Sequence, residues 1–274
     1  MSEIPAAPAA PGALEAALRA GRDAGRKLLV PYLTGGLTVD GDHWLEVLRA
    51  VVDAGADAVE IGIPFSDPVM DGPIIQEASE RALQSGATPL SILDELRRAD
   101  VGVPLAVMTY YNVAYHMGHE RFAAELADAG VAAAILPDLP FEEVGPWAAA
   151  ADAAGVETVM LAAPTAPDDR LPVVCERARG FVYAVGLLGV TGERAALATS
   201  SLKIAARLKA VTDKPVLVGV GISDADQAVE VCSVADGVIV GSAVVRRVLA
   251  GEGPAGAADF VGSIRAALDA SIDQ

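Results

Sequence analysis

Eight short apolar runs recur along this chain, each closing near Gly, Pro or Asp and each followed by an Ala- and Leu-rich stretch carrying charges. The runs are Leu28–Thr34, Asp57–Ile63, Val103–Tyr110, Val131–Asp138, Val156–Ala162, Gly180–Gly186, Lys214–Val220 and Ala235–Gly241. They are near-continuous rather than strictly alternating, as in parallel strands covered on both faces. Between them lie helical stretches at 42–54, 74–85, 120–129, 142–154, 168–178, 200–211, 224–232 and 243–249. Asp168, Ser200 and Ser223-Asp224 are good N-caps. Ala54-Gly55, Ala129-Gly130 and Ala154-Gly155 are helix stops. Eight strand–helix units in roughly 250 residues predict an α/β fold, a closed (β/α)8 TIM barrel. Extra helices are expected at the N-terminus, after the second strand (Thr88–Ala99) and at the C-terminus. Residues 1–12 read as a disordered Ala/Pro tail, and 13–274 as one catalytic barrel domain with no linker long enough to split it. A doubly wound open sheet is the structural alternative.

Composition narrows the function classes. Hydrophobic residues make up 53% and charged residues 21%, enough for a sizeable core, but aromatics are only 4%. Ala, Val, Leu and Ile must therefore fill that core. A net charge of −17 repels a phosphate backbone, so nucleic acid is not an expected partner. A phosphorylated small molecule is still possible, because backbone amides can hold phosphate locally. Cys175 and Cys232 fall on helices with no CxxC motif, which fits two buried thiols in a reducing cytoplasm. The N-terminus lacks the basic start and apolar stretch of a secretory signal. Residues 101–119 carry no Asp, Glu, Lys or Arg. With Pro104, Gly102, Gly118 and Asn112 among them, they read as a strand and a polar loop, not a membrane span.

In a barrel, chemistry sits at the C-terminal strand ends. In the second run, Ala58, Glu60 and Gly62 share one face, and Val59, Ile61 and Ile63 share the other. The apolar set suits the helix layer, which turns Glu60 into the barrel near its mouth. A poorly solvated carboxyl there has a raised pKa, as an acid and base near neutrality needs. A structural glutamate paired with a buried cation is the other reading. The Pro-rich segment Pro64–Pro73 is a loop that carries Asp67 and Asp71 over the mouth. No His or third carboxylate follows at ligand spacing, so no metal site is expected. Glycines close the later strands at Gly189–Gly192, Gly219–Gly221 and Gly241-Ser242, where barrels commonly hold phosphate. His116 and His119 have no supporting ligand cluster. Tyr110, Tyr111 and Asn112 close the third strand and either line a pocket or pack. Tyr183 faces either Glu60 or plain core.

Several strings resemble one family. They are Val30-Pro31-Tyr32-Leu33-Thr34-Gly35, Ala54 through Pro68 (including Glu60-Ile61-Gly62-Ile63-Pro64-Phe65-Ser66-Asp67-Pro68), and Asp71-Gly72-Pro73-Ile74-Ile75-Gln76. Met108–Asn112, Pro137–Pro140, Gly189-Val190-Thr191-Gly192 and Val218–Ser223 extend the match. Together they resemble the tryptophan synthase alpha chain over nearly everything after the Ala/Pro tail. That resemblance implies a lyase that splits indole-3-glycerol phosphate into indole and glyceraldehyde 3-phosphate. It implies Glu60 as general acid/base, Asp71 as the carboxylate facing the indole N–H, and Tyr183 beside the acid/base. Thr191 then bonds Asp71 on loop closure. Tyr32, Met108, Tyr110, Ile135 and Val220 line the indole pocket, and Gly192, Gly221, Gly241 and Ser242 hold phosphate. Asp67 faces a beta subunit, within a cytoplasmic α₂β₂ complex whose pyridoxal phosphate belongs to that subunit, leaving this chain without a cofactor.

The sequence departs from the family at three places. Gly186-Leu187-Leu188-Gly189 stands where the family has Ser-x-x-Gly, Val220 where Phe is common, and Gly35-Gly36-Leu37 where Gly-Asp-Pro is common. The first departure keeps a free-standing indole-releasing lyase as an alternative. A non-catalytic barrel that activates a partner is the alternative of another class.

Overall fold

The computed structural model describes residues 4–186, 194–219 and 221–272, with 194–199 described as backbone only. Its strands are β1 (Leu28–Thr34), β2 (Val59–Gly62), β3 (Leu105–Met108), β4 (Val131–Ile135), β5 (Glu157–Ala162), β6 (Val182–Ala184), β7 (Val216–Val218) and β8 (Gly237–Val240). They pair in chain order, all parallel, and β8 returns to β1 to close the barrel. The helices are α1 (Ala13–Asp23), α2 (Trp44–Asp53), α3 (Pro73–Gln84), α4 (Pro89–Leu96), α5 (Tyr111–Met117) and α6 (His119–Asp128). They continue with α7 (Gly145–Ala154), α8 (Arg170–Arg177), α9 (Arg194–Lys209), α10 (Ala225–Cys232), α11 (Ser242–Leu249) and α12 (Gly253–Ala270). α1, α4 and α12 are the additions expected at the two ends and after the second unit.

Closure splits the apolar residues into two layers, because neighbouring side chains on a strand point to opposite faces. Leu28, Val30, Ala58, Ala106, Ala133, Ile135, Val159, Tyr183, Leu217 and Ile239 meet inside the barrel. Leu29, Leu33, Val59, Ile61, Val107, Met160, Val182 and Val238 pack outward against the helices. Leu14 and Leu18 of α1 join the inner cluster and plug the N-terminal end. Both thiols are free and buried, Cys175 on α8 and Cys232 on α10.

The helix stops behave as the glycines suggest; Gly155 closes α7 in the left-handed region (φ 76°). Three other readings are corrected. Residues 111–117 form α5 rather than a polar loop. Asp138 makes this possible, since its carboxylate accepts from the Tyr111 N–H at 2.7 Å and caps the helix from another loop. α9 begins at Arg194, not Ser200; the Ala195-Ala196-Leu197-Ala198 run has high helix propensity and carries the helix past the cap residue. Asp168 does not cap α8; its carboxylate pairs with Arg207 at 2.6 Å instead.

Ahead of α1, in the segment read as a disordered tail, Ile4 lies half-buried against the core, and the Ala10 carbonyl accepts from Arg179 at 3.0 Å. α1 itself is held by Glu157, the first residue of β5. This fully buried carboxylate accepts from the amides of Gly12 (3.2 Å), Leu14 (2.7 Å) and Glu15 (3.2 Å). A carboxylate suits a helix N-terminus, where amides lack intrahelical acceptors. Replacing it orphans three donors, two of them buried. Glu157→Ala is expected to cost about 2–4 kcal/mol, read as a lower midpoint in urea, with α1 becoming the first site of protease cleavage.

Candidate active site

Glu60 lies in the middle of β2, level with Tyr32 on β1 and Ala106 on β3. The alternation turns it inward, and it is 1% exposed. Its Oε2 has no hydrogen-bond partner among the described residues. A buried carboxyl so placed disfavours ionisation. Burial pushes Glu60 up to about 8, and the negative charge of Asp71 adds to the rise. The reading of Glu60 as half of a buried ion pair is set aside, since no cation partners it among the described residues.

Asp71 reaches the mouth from the β2–α3 loop, half-buried where Glu60 is fully buried. Tyr110, the residue before α5, holds this loop. Its hydroxyl accepts from the Met70 N–H at 2.8 Å and donates to Asp71 Oδ2 at 3.3 Å. Phe65 stacks on the Tyr110 ring at 5.0 Å between centroids. The Gln76 amide donates to the Asp71 carbonyl at 2.8 Å from the first turn of α3. Burial raises the Asp71 carboxyl, and the Tyr110 hydrogen bond opposes that rise. Tyr110 itself is pushed up to about 12, chiefly by burial. The two carboxyls therefore differ in solvation and support, as groups with separate acid and base roles require.

Two tyrosines complete the floor. Tyr183 on β6 is buried, donates to the Gly219 carbonyl at 3.3 Å, and is raised well above its ordinary value by burial and then by the charge of Glu60. Tyr32 is raised by burial first, then by the charge of Asp71, with Glu60 a smaller contributor. Tyr183 thus packs in the inner core within range of the Glu60 charge. Both rings fit only because a neighbour lacks a side chain. A Cβ on Gly62 would collide with the Tyr32 hydroxyl, and one on Gly219 with the Tyr183 hydroxyl.

Of the other residues singled out, Met108 and Ile135 pair across β3 and β4 on the inner wall. Gly241 precedes α11 and Ser242 opens it, at the end of β8, where first-turn amides lack intrahelical acceptors. Gly221 is exposed just beyond β7 with φ 80°. Asp67 is exposed on the β2–α3 loop and accepts from the Ser66 hydroxyl at 2.6 Å. Thr191, Gly192 and Val220 lie outside the described residues, as do Leu187 to Gly189 of the altered loop. Among the described residues no cluster of His, Cys, Asp or Glu could hold a metal ion. His119 instead meets the Tyr111 hydroxyl at 3.0 Å and packs edge-on against Trp147. No described helix is long and apolar enough to cross a membrane.

Residue reading missed the roles of Phe65, Asp138, Gly62 and Gly219 as supports of the site. Small inward positions beside an inward tyrosine on the next strand are the pattern that could have found the two glycines.

A closed parallel barrel with one carboxyl buried inside it and a second, half-buried, on the loop at its mouth defines an acid–base enzyme of the (β/α)8 class. The family model described as tryptophan synthase alpha chain matches residues 18–261. The Streptomyces coelicolor tryptophan synthase alpha chain is 47% identical, covering 85% of this chain and 86% of the relative. The Geobacter sulfurreducens protein of the same name is 45% identical over 89% and 94%. A Mycobacterium tuberculosis tryptophan synthase structure superposes with a TM-score of 0.86 at 36% identity, covering 94% of this chain and 99% of that one. The alpha subunit from Legionella pneumophila superposes at 0.82 with 29% identity, covering 95% and 100%. This chain belongs to the tryptophan synthase alpha chain family.

Because Glu60 rises from 4.5 to about 8 on folding, the folded state keeps a proton that the unfolded chain releases. Its stability contribution is fully present below pH 4.5 and is lost as pH climbs to about 8. Glu60→Gln carries no such penalty. Thermal unfolding of the pair should coincide in acid, and the variant should melt higher than the parent at mildly alkaline pH.

Proposed function

We propose that this chain cleaves indole-3-glycerol phosphate to indole and glyceraldehyde 3-phosphate, the alpha reaction of L-tryptophan biosynthesis. The observation that carries this reading is the buried Glu60 carboxyl inside the barrel, with Oε2 unpartnered among the described residues, held above its ordinary pKa by burial and by the charge of Asp71. Glu60 starts protonated and gives its proton to C3 of the indole ring. That turns the ring into an electron sink, with positive charge on its nitrogen. Asp71, ionised and braced by Tyr110, balances the charge and accepts the indole N–H. Glu60, now a carboxylate, takes the proton from the hydroxyl on the carbon attached to C3. As that carbon becomes an aldehyde, the C–C bond breaks and its electrons restore the aromatic ring. Glu60 ends protonated again, so no proton is gained or lost.

Tyr183 flanks the acid, while Tyr32, Met108, Tyr110, Ile135 and Val220 supply the indole pocket. The α11 N-terminus at Gly241-Ser242, with Gly192 and Gly221, is suited to the phosphate. Closure of the loop after β6 brings Thr191 to Asp71 and excludes water. The exposed β2–α3 loop, with Asp67 beside exposed Val69 and Met70, supports docking of a beta subunit in a cytoplasmic α₂β₂ assembly. In that assembly the pyridoxal phosphate lies in the partner, and the alpha reaction needs no cofactor here.

Steady-state cleavage by the purified chain, with and without a tryptophan synthase beta subunit, tests the proposal. Slow turnover alone with strong stimulation is expected. Fast turnover indifferent to the partner would instead indicate a free-standing indole producer. Glu60→Gln should lose about 10²–10⁴-fold in turnover; wild-type turnover in that variant would sink the mechanism. With Glu60 needed protonated, kcat/KM should fall as pH rises past about 8. Asp71 must be ionised, so an acid limb should also appear and should vanish, at low residual rate, in Asp71→Asn.

A further inference from the structure

A cavity of about 140 Å³ lies outside the barrel wall, between β5 and the helices α7 and α8, roofed by the segment that follows β4. It is separate from the carboxyl pair: none of Tyr32, Glu60, Asp71, Tyr110 or Tyr183 lines it. Leu139, Phe141, Met160 and Val174 give it apolar walls, although more of its surface is polar than apolar. Two polar side chains also line it. Trp147 is fully buried, and its Nε1–H has no acceptor among the described residues. Thr158 is 3% exposed, and its Oγ1 has no partner. Leaving a buried donor unsatisfied costs about 1–3 kcal/mol, so two beside one void indicate an occupant that supplies hydrogen bonds.

Charge is accounted for at the rim. Arg170 is the one charged residue in the lining. Its guanidinium is paired bidentately with Glu142 and sits over the Phe141 ring at 5.7 Å. Nothing in the lining is left to recognise an ion, so the occupant is neutral. A cavity of about 150 Å³ accommodates a benzene ring, which sets the size.

We propose that this cavity is a second small-molecule site, for a neutral six-membered ring bearing one hydroxyl. The ring fills the apolar walls. The oxygen accepts from Trp147 Nε1–H, and the hydroxyl exchanges a hydrogen bond with Thr158. Indole itself fits poorly, because it brings a donor and no acceptor for Trp147. The site stands on its own geometry and does not rest on the lyase reading.

The chain has two tryptophans, so its ¹⁵N spectrum holds two indole N–H peaks, assigned with Trp44→Phe. Trp44 Nε1 already donates to Glu95 and serves as the internal control. Phenol, titrated into the full chain without substrate, should move the Trp147 peak saturably, with a Kd on the order of 1 mM, and leave the Trp44 peak in place. Benzene should bind about fivefold more weakly, matching one net hydrogen bond. Thr158→Val, nearly isosteric, should shrink that difference. Val174→Phe, which fills the cavity, should abolish the shift, with the Trp44 peak reporting that the variant is folded. A Trp147 peak that does not saturate overturns the proposal, as does a shift that survives Val174→Phe. If the filled variant does not fold, equal binding of phenol and benzene by the parent chain overturns it as well. Loss of lyase activity in Glu60→Gln leaves the spectrum unchanged, so the two readings fail separately.

Discussion

Closure of eight parallel strands imposes the constraint on which the rest depends. Once β8 pairs with β1, each strand residue must face either the barrel axis or the helices. Val59 and Ile61 take the helix side, and Glu60 between them has nowhere to go but inward. The acid is thus a by-product of packing. The apolar residues that stabilise the outer layer put a carboxyl where water cannot reach it.

That placement is unfavourable by itself. A buried carboxyl with an unpartnered oxygen opposes folding, and its charge would be costlier still. The outer layer, rich in Val, Leu and Ile and anchored by Trp44, Phe122 and Trp147, provides the offset. Support of the second carboxyl is local. Asp71 sits on a loop with two prolines, Pro64 and Pro68, and a third, Pro73, opening α3, which limits the conformations it must give up, and Tyr110 ties that loop down through Met70 and Asp71. Tyr110 is in turn placed by α5, which the Asp138 carboxylate caps from the β4–α7 connection. Three successive strand ends therefore converge on one carboxylate.

Much of this was legible in the residues. Near-continuous apolar runs gave away strands covered on both faces, and the inward turn of Glu60 followed from period two alone. The errors have different causes. α5 was missed because its cap comes from Asp138, well downstream in the chain. The start of α9 was misplaced because a good cap residue was weighed above an Ala-rich run. Gly62 abuts Tyr32 of β1, and Gly219, just past β7, abuts Tyr183 of β6, only through the fold, so these pairings were not assigned from the residues. The Trp147–Thr158 cavity has no sequence pattern at all.

The pairing of Glu60 with Asp71 came from the family resemblance, whereas the sequence by itself determined the barrel count, the two-layer division, the inward turn of Glu60 and the place of Asp71 on the loop at the mouth. Those follow from local periodicity and from which residues a strand or loop can carry. Only the tertiary structure decided that Glu60 has no cation partner among the described residues, that Tyr110 braces Asp71, and that Glu157 holds α1 across the barrel floor. Each of these depends on groups distant in the chain meeting at hydrogen-bond or contact range. No local pattern encodes that meeting, because it is set by how all eight strands close together.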